Sequence, residues 1–183
     1  MLEAMLTTAT GLTMRPWSAS DAPAVLAAFA EPEMERQADS AITTLDQAGN
    51  WVQARQDQWS AGSAYSFAAV AGDGHVLGSV TVSGVERSHL TGWVSYWTTA
   101  AARGQGVATS ACRTLASWAF ADLALFRLEL GHRVNNRASC LVASRAGFVV
   151  EGLERQKLRY DGQRFDVELH ARLATDPVPT GQG

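Results

Sequence analysis

The sequence predicts one α/β domain of the α+β kind: a central mixed, mostly antiparallel sheet flanked by helices, in the order β-α-α-β-β-β-α-β-α-β-β. Three observations carry this. Alternating runs rich in aromatic and β-branched residues follow one another from Tyr65 to Thr99, broken by short turn signals. A basic turn, Arg103-Gly104-Gln105-Gly106, then leads from a strand into a long helical pattern with another strand beyond it, which is a βαβ unit. The chain closes on a hairpin around Asp161-Gly162.

In order, Met1 to Gly11 reads as a loose arm whose apolar residues could pack locally, and Leu12 to Arg15 as a short strand that Pro16 ends. Ser20-Asp21-Ala22-Pro23 carries the signs of a helix start, a capping residue followed by an acid and an early proline, and Ala24 to Phe29 continues it. Pro32 breaks that helix and leaves residues 33–37 as a loop or short turn. A second helix starts near Leu45-Asp46, repeats apolar residues through Trp51, Val52 and Trp59, and closes at Gly62. Strands are expected at Tyr65 to Ala71, His75 to Gly84 and Leu90 to Thr99, with a hairpin at Gly72-Asp73-Gly74. Val107 to Leu123 is helical, Arg127 to His132 a strand, and Asn136 to Ala146 a helix stopped by Gly147. Phe148 to Tyr160, with a kink at Gly152, and Arg164 to Leu173 form the last hairpin, and Pro177 to Gly183 reads as a disordered tail. The expected division is an arm at 1–11, one domain at 12–174 and a flexible tail at 175–183.

A chain of 183 residues suits one domain with a substantial core. No apolar run is long enough to span a membrane and Met1 to Thr10 lacks the form of a signal peptide, so a cytoplasmic protein without membrane contact is expected. A net charge of −3 argues against nucleic acid as the partner. Cys112 and Cys140 read as small helix residues without a disulfide, and the four histidines as scattered, so no metal is expected.

The turn at Arg103 is the chemical centre of the sequence. A helix start has backbone N–H groups without helical partners, and its dipole favours an anion. Gly104 and Gly106 let the backbone approach a ligand, and Arg103 adds a positive charge. A Walker loop is absent, and the third glycine of a dinucleotide turn is missing. The spacing Arg103-x-x-Gly106-x-Ala108 instead resembles the pyrophosphate loop of the GNAT acyltransferases.

Further blocks extend the resemblance to the RimJ/RimL-like branch of that family, from about Leu12 to Leu173. Met14-Arg15-Pro16-Trp17 with Asp21-Ala22 looks like its opening strand and helix. Tyr96-Trp97 before the loop, Asn136-x-x-Ser139 with Gly147-Phe148, and Glu151-Gly152 with Asp161-Gly162 and Asp166 look like the rest. The resemblance implies the GNAT fold and transfer of an acetyl group from acetyl-CoA to a primary amine by direct attack. The acceptor would be a ribosomal-protein N-terminus or a small molecule, and a homodimer is left open. It implies that Tyr96, Trp97 and Thr98 offer backbone groups to the pantetheine arm. Arg103, Gly104, Gln105, Gly106, Val107 and Ala108 would hold the pyrophosphate, Asn136 would bond the pantetheine, and Arg145 would meet the ribose phosphate. Three positions depart from relatives: Ser110 and Leu158 stand where a glutamate is found, and Ala143 where a tyrosine is found. A CoA-binding regulatory module with little catalysis and a succinyl-CoA-dependent enzyme are the alternatives.

Acyl transfer to an amine needs a free amine, donors for the oxyanion and a proton for the leaving thiolate. A backbone N–H near Trp97 or Thr98, freed by a bulge or splay, would serve the oxyanion. Glu129 alternates away from Leu128 and Leu130 and is the candidate base, or else a partner for Arg127 or Arg133. Ser139 is the candidate for the thiolate, or else a helix-start residue. Glu33 and Glu35 are candidates for an acidic acceptor rim or a solvated loop, and Asp166 for acceptor binding or for tying down the hairpin through Arg164.

Overall fold

The structure is a computed structural model, described for residues 4–37 and 40–179, with the side chains of residues 35 and 36 left aside; the expectation for Glu35 falls on one of these. Eight strands form one sheet in the order β1-β2-β3-β4-β5-β6-β8-β7. They are β1 (Leu6–Thr7), β2 (Thr13–Pro16), β3 (Tyr65–Val70), β4 (Val76–Glu86), β5 (Thr91–Thr98), β6 (Arg127–Arg133), β7 (Val149–Tyr160) and β8 (Gln163–Leu173). Four α-helices flank it: α1 (Ala22–Phe29), α2 (Leu45–Ala61), α3 (Val107–Ala121) and α4 (Arg137–Arg145). Among these strands β5 and β6 pair in parallel and every other neighbouring pair is antiparallel, as a sheet with one βαβ crossover requires.

Alternation along the strands sorts the core into two faces. Phe67, Val80, Val82, Val94, Leu128 and Leu130 turn towards α3 and α4, which bury Cys112, Leu115, Ala119 and Ala143 against them. On the other face Ala68 and Trp97 meet Trp17, Val25, Ala48, Trp51 and Val52 from the α1 and α2 side. Trp97 stacks on Trp17 with ring centroids 6.0 Å apart, and Phe29 meets Trp97 edge-on at 5.6 Å, so β5 is wedged against the first helix by aromatic packing. Near the end of α2, Trp59 packs against Phe67 and Trp118.

Two expectations are corrected. The arm at 1–11 is part of the sheet for its described residues: Leu6 and Thr7 pair with Met14 and Thr13, and Ala4 and Thr8 are buried. Thr10 Oγ1 also meets Ser110 Oγ at 2.8 Å, which anchors the N-terminal segment to α3. The first helix start lies two residues earlier than expected, with Ser18 as the capping residue of a 3-10 turn over Ala19–Asp21 that runs into α1. Residues Pro32–Gln37 form a second 3-10 turn. Elsewhere the elements agree with the expected boundaries to within a few residues, including the αL stop at Gly62. Among the described residues no helix is long and apolar enough to cross a membrane.

The junction of β2 and α1 rests on Asp21, which is buried. Its two carboxylate oxygens accept from both terminal nitrogens of Arg15 at 2.7 and 2.8 Å, and Oδ2 also accepts from Ser18 N–H at 2.8 Å. Burial alone would push this carboxyl up; the Arg15 and Ser18 hydrogen bonds and the guanidinium charge outweigh it and hold the group below the usual carboxylate range. A depressed folded-state value means stability that is present above the unfolded carboxylate's ~3.9 and lost as pH falls through the folded value. Asp21→Asn leaves the half-buried Arg15 without its counter-charge, and urea denaturation at neutral pH should show a loss of about 3 kcal/mol. The deficit should shrink as the wild type is acidified, and a loss under about 0.5 kcal/mol would remove the pair from the stabilising interactions.

Candidate functional site

The β5–β6 ladder stops early. Thr91, Gly92 and Trp93 pair with Arg127, Leu128 and Glu129, and beyond that register no further pairs form between the two strands. Strand β5 stays paired with β4 as far as Thr98, opposite Gly78, while β6 stays paired with β8 as far as Arg133, opposite Val167. The sheet therefore splits into a V whose inner edges are Val94–Thr98 and Leu130–Arg133. Backbone groups on those edges are strong donors and acceptors that a ladder would otherwise satisfy. A cleft of about 720 Å³ fills the V and runs on between the N-terminal ends of α3 and α4.

The turn Arg103–Gly106 closes one end. Gly104 and Gly106 sit at φ +73° and +76°, the left-handed region that other residues enter at a cost, and a Cβ built on either would meet nothing within 4 Å. Open space therefore lies against the backbone at both. The first helical bond of α3 is Ser110 N–H to Gly106 O at 2.9 Å, so the N–H groups of Val107, Ala108 and Thr109 precede the ladder at the positive end of the helix dipole. All three residues line the cleft. Among the described residues the charged side chains lining it are Glu33, Arg103, Arg133 and Arg145, a cationic balance that suits a polyphosphate.

The second wall is the start of α4. Asn136 caps it, its Oδ1 accepting from Ser139 N–H at 3.1 Å. Across the V, the Tyr96 hydroxyl donates to the Ser139 carbonyl at 3.1 Å and so fixes β5 to the first turn of α4. Burial pushes the Tyr96 hydroxyl far above its ordinary value, so it stays neutral and a donor.

Of the residues expected at the site, Tyr96, Trp97 and Thr98 line the cleft from β5; Arg103, Gly104, Gly106, Val107 and Ala108 from the turn; and Asn136, Ser139 and Arg145 from α4. Gln105 is not among the lining residues, and its side-chain amide turns back to donate to the Ala101 carbonyl at 2.5 Å. Arg103 is already engaged, with Glu31 at 2.7 Å and Glu33 at 3.8 Å, and Glu31 also accepts from Ala100 N–H at 3.1 Å. Glu31 was not legible as a site neighbour; it carries no motif and meets the turn across 69 residues.

Glu129 reads from the sequence as the candidate base or as a partner for Arg127 or Arg133, and the geometry pairs it with Arg127. It does not line the cleft, and its carboxylate accepts from Arg127 Nε at 2.6 Å while the guanidinium of Arg127 also holds Glu151. The bond to Arg127 holds Glu151 below the usual carboxylate range. Both carboxylates are about two-fifths exposed, 41% and 44% of the side chain, so the trio is a surface ion-pair network. Glu129→Gln should therefore change kcat/KM less than about tenfold across pH; a fall of about 10² or more near neutral pH, recovering as pH rises, would restore it as a general base.

Asp166 ties down the hairpin, but through Gln156 N–H at 2.7 Å, while Arg164 bonds the Gln156 carbonyl at 3.2 Å. Leu158 lines the cleft, and the small Ala143 is fully buried. Cys112 and Cys140 are free thiols, Cys112 buried and Cys140 half-buried. The histidines are not all scattered: His132, which lines the cleft, and His170 meet in the interior. A depression of about 750 Å³ between the starts of α1 and α2 is open to solvent and lined largely by small residues, so the groups able to do chemistry gather in the V.

Comparison with known proteins agrees with this geometry. The acetyltransferase (GNAT) domain family matches residues 11–149. The ribosomal-protein-serine acetyltransferase of Escherichia coli strain K12 is 30% identical over 98 residues, 54% of this chain and 55% of its own. The YdaF protein of Bacillus subtilis strain 168 is 31% identical over 101 residues, 55% of each chain. The matched stretches thus span little more than half the length of these curated relatives. Among solved structures, the ribosomal L7/L12 α-N-protein acetyltransferase RimL in complex with coenzyme A superposes with a TM-score of 0.85 at 22% identity, covering 93% of this chain and 98% of that one. Mycobacterium smegmatis RimJ in complex with a CoA-disulfide gives 0.81 at 22% identity, covering 94% and 87%. At these identities the structural likeness is one of fold.

Proposed function

Because the chain belongs to the acetyltransferase (GNAT) domain family, we propose that it transfers an acetyl group from acetyl-CoA to a primary amine, by direct attack in a ternary complex. The observation that carries the proposal is the V between β5 and β6, with a glycine turn and a helix start at its end. The pantetheine arm would add hydrogen bonds along the split edge, and its pyrophosphate would accept from the N–H groups of Val107, Ala108 and Thr109. A backbone N–H at Trp97 or Thr98 would hold the oxyanion, and the Ser139 hydroxyl would meet the leaving thiolate.

The acceptor class follows from the proton balance. Among the described lining residues Glu33 is the one carboxylate. A lysine amine, near 10.4, would need a strong base at neutral pH, whereas an α-amine, near ~8, loses its proton to water readily. A protein N-terminus or a small α-amine is the acceptor that asks least of this cleft, and ribosomal-protein relatives point the same way. Succinyl-CoA is a second donor reading, favoured by Arg133 at the split end of β6, which lines the cleft beside Tyr160.

The test is release of free CoA thiol by the purified chain with acetyl-CoA or succinyl-CoA against peptides with free N-termini, the same peptides blocked but bearing lysine, and small amines. Turnover confined to acetyl-CoA and free α-amines supports the reading. Tight CoA binding with no turnover on any acceptor would make the protein a CoA-binding module.

A further inference from the structure

We infer that His132, Glu168 and His170 form a binding site for a divalent first-row transition-metal ion of the zinc class. The placement is set by the sheet. His132 on β6 lies directly opposite Glu168 on β8, and His170 follows Glu168 by two residues, so the three share the face covered by α4. The donor atoms converge. His132 Nε2 and His170 Nε2 are 2.9 Å apart, and Glu168 Oε1 is 3.0 Å from His170 Nε2 and 3.5 Å from His132 Nε2.

Hydrogen bonding at the far side of each ring gives the convergence its meaning. His132 Nδ1 lies 3.0 Å from the Arg133 carbonyl, and His170 Nδ1 lies 3.5 Å from the Phe148 carbonyl. Where each Nδ1–H donates to its carbonyl, both Nε2 atoms turn lone pairs towards the Glu168 carboxylate, an arrangement that a cation among the three would satisfy. This is the pattern of a metal-binding histidine, whose second nitrogen donates to a carbonyl and fixes the ring.

The distances are close to those the ion needs. Zinc binds imidazole nitrogen and carboxylate oxygen at about 2.0–2.2 Å, and a tetrahedral arrangement then sets neighbouring donors about 3.3–3.6 Å apart. The 3.5 Å spacing fits, and the 2.9 and 3.0 Å spacings would open by about half an ångström as the ion enters. Two imidazoles with one carboxylate favour zinc or a neighbouring first-row ion over magnesium or calcium. His170 and His132 are 1% and 7% exposed, so the imidazoles are shielded, while the partly exposed Glu168 leaves a route in. The Cys140 thiol donates to Glu168 Oε1 at 3.8 Å and stands beside the triad. His132 also lines the cleft, so the ion would bridge β6 and β8 next to the proposed acyl-CoA channel.

The experiment is calorimetric titration of the chelator-treated full chain with Zn²⁺, alongside Co²⁺ uptake read by visible absorption. One ion per chain at micromolar affinity or tighter, with cobalt bands of a low-symmetry nitrogen and oxygen site, is expected. Glu168→Gln, at a partly exposed position, should fold and lose about a hundredfold or more in zinc affinity, and His170→Gln should lose as much. Absence of stoichiometric zinc uptake by the wild type, or wild-type affinity in folded Glu168→Gln, would overturn the site whether or not His170→Gln folds. None of these readouts depends on acetyl transfer, so the site stands or falls separately from the proposed activity.

Discussion

Gly106→Glu should reduce acetyl-CoA affinity by about 10²-fold or more while leaving a folded protein. The backbone at Gly106 is at φ +76°, and a Cβ there would enter space in which no protein atom lies within 4 Å. In the proposed complex that space belongs to the pyrophosphate. The substitution sets a carboxylate at the start of α3, in front of the N–H groups of Val107 to Thr109, so the helix end receives its own anion. Left-handed strain costs about 1–2 kcal/mol, and the favourable charge at the helix start offsets part of it, so the fold should survive. Binding should not, because a phosphate would face both a filled site and a like charge. Calorimetry with acetyl-CoA, after circular dichroism and thermal unfolding have confirmed the fold, makes the measurement. Wild-type affinity in a folded Gly106→Glu would remove this turn from the donor site.

Much of the fold and half of the site were legible because their causes are local. The turn from Arg103 to Gly106 is written in four residues, and so is the Asn136-x-x-Ser139 pair that opens α4. The helix over Leu45–Ala61 announces itself by spacing, and its Thr44–Gln47 capping box and Gly62 stop need no distant partner. What escaped depends on contacts far apart in sequence. Leu6–Thr7 has no strand pattern of its own and becomes a strand because Met14 and Thr13 offer a free edge. The pairing of Glu129 with Arg127 is one of its two readings, but Glu151 as the second carboxylate on that guanidinium depends on strand order, with β8 between β6 and β7. The histidines read as scattered because His132 meets Glu168 and His170 only through the β6–β8 register. The V itself is a place where pairing stops, and a strand's residues do not say where its neighbour leaves it.

Gly78→Ala should deform the donor strand, although it adds a single methyl group well outside the cleft. Gly78 lies on β4 opposite Thr98, at the last paired position before β5 runs out beside the V. A Cβ built there would stand 2.3 Å from the Trp97 carbonyl oxygen and 3.0 Å from Thr98 Cα. These are backbone atoms, so no side-chain rotation relieves the clash. β5 must move away from β4, towards the split edge that is proposed to bind pantetheine and hold the oxyanion. Trp97 cannot follow freely, because its ring is packed against Trp17, Phe29 and Trp51. Overpacking of this kind costs about 1–3 kcal/mol in stability. Misplacement of reacting groups by about 1 Å can cost about 10²-fold in rate, so the loss in kcat/KM should exceed what the lower stability explains. Gly72→Ala is the matched control, since its Cβ would meet nothing within 4 Å and its backbone is not left-handed, and it should leave both stability and kcat/KM within about twofold. Urea denaturation with acetyl-CoA titration and steady-state rates on the three proteins reads the outcome. If Gly78→Ala matched Gly72→Ala in affinity and rate, the position of the Trp97–Thr98 backbone would carry no weight in binding or in catalysis.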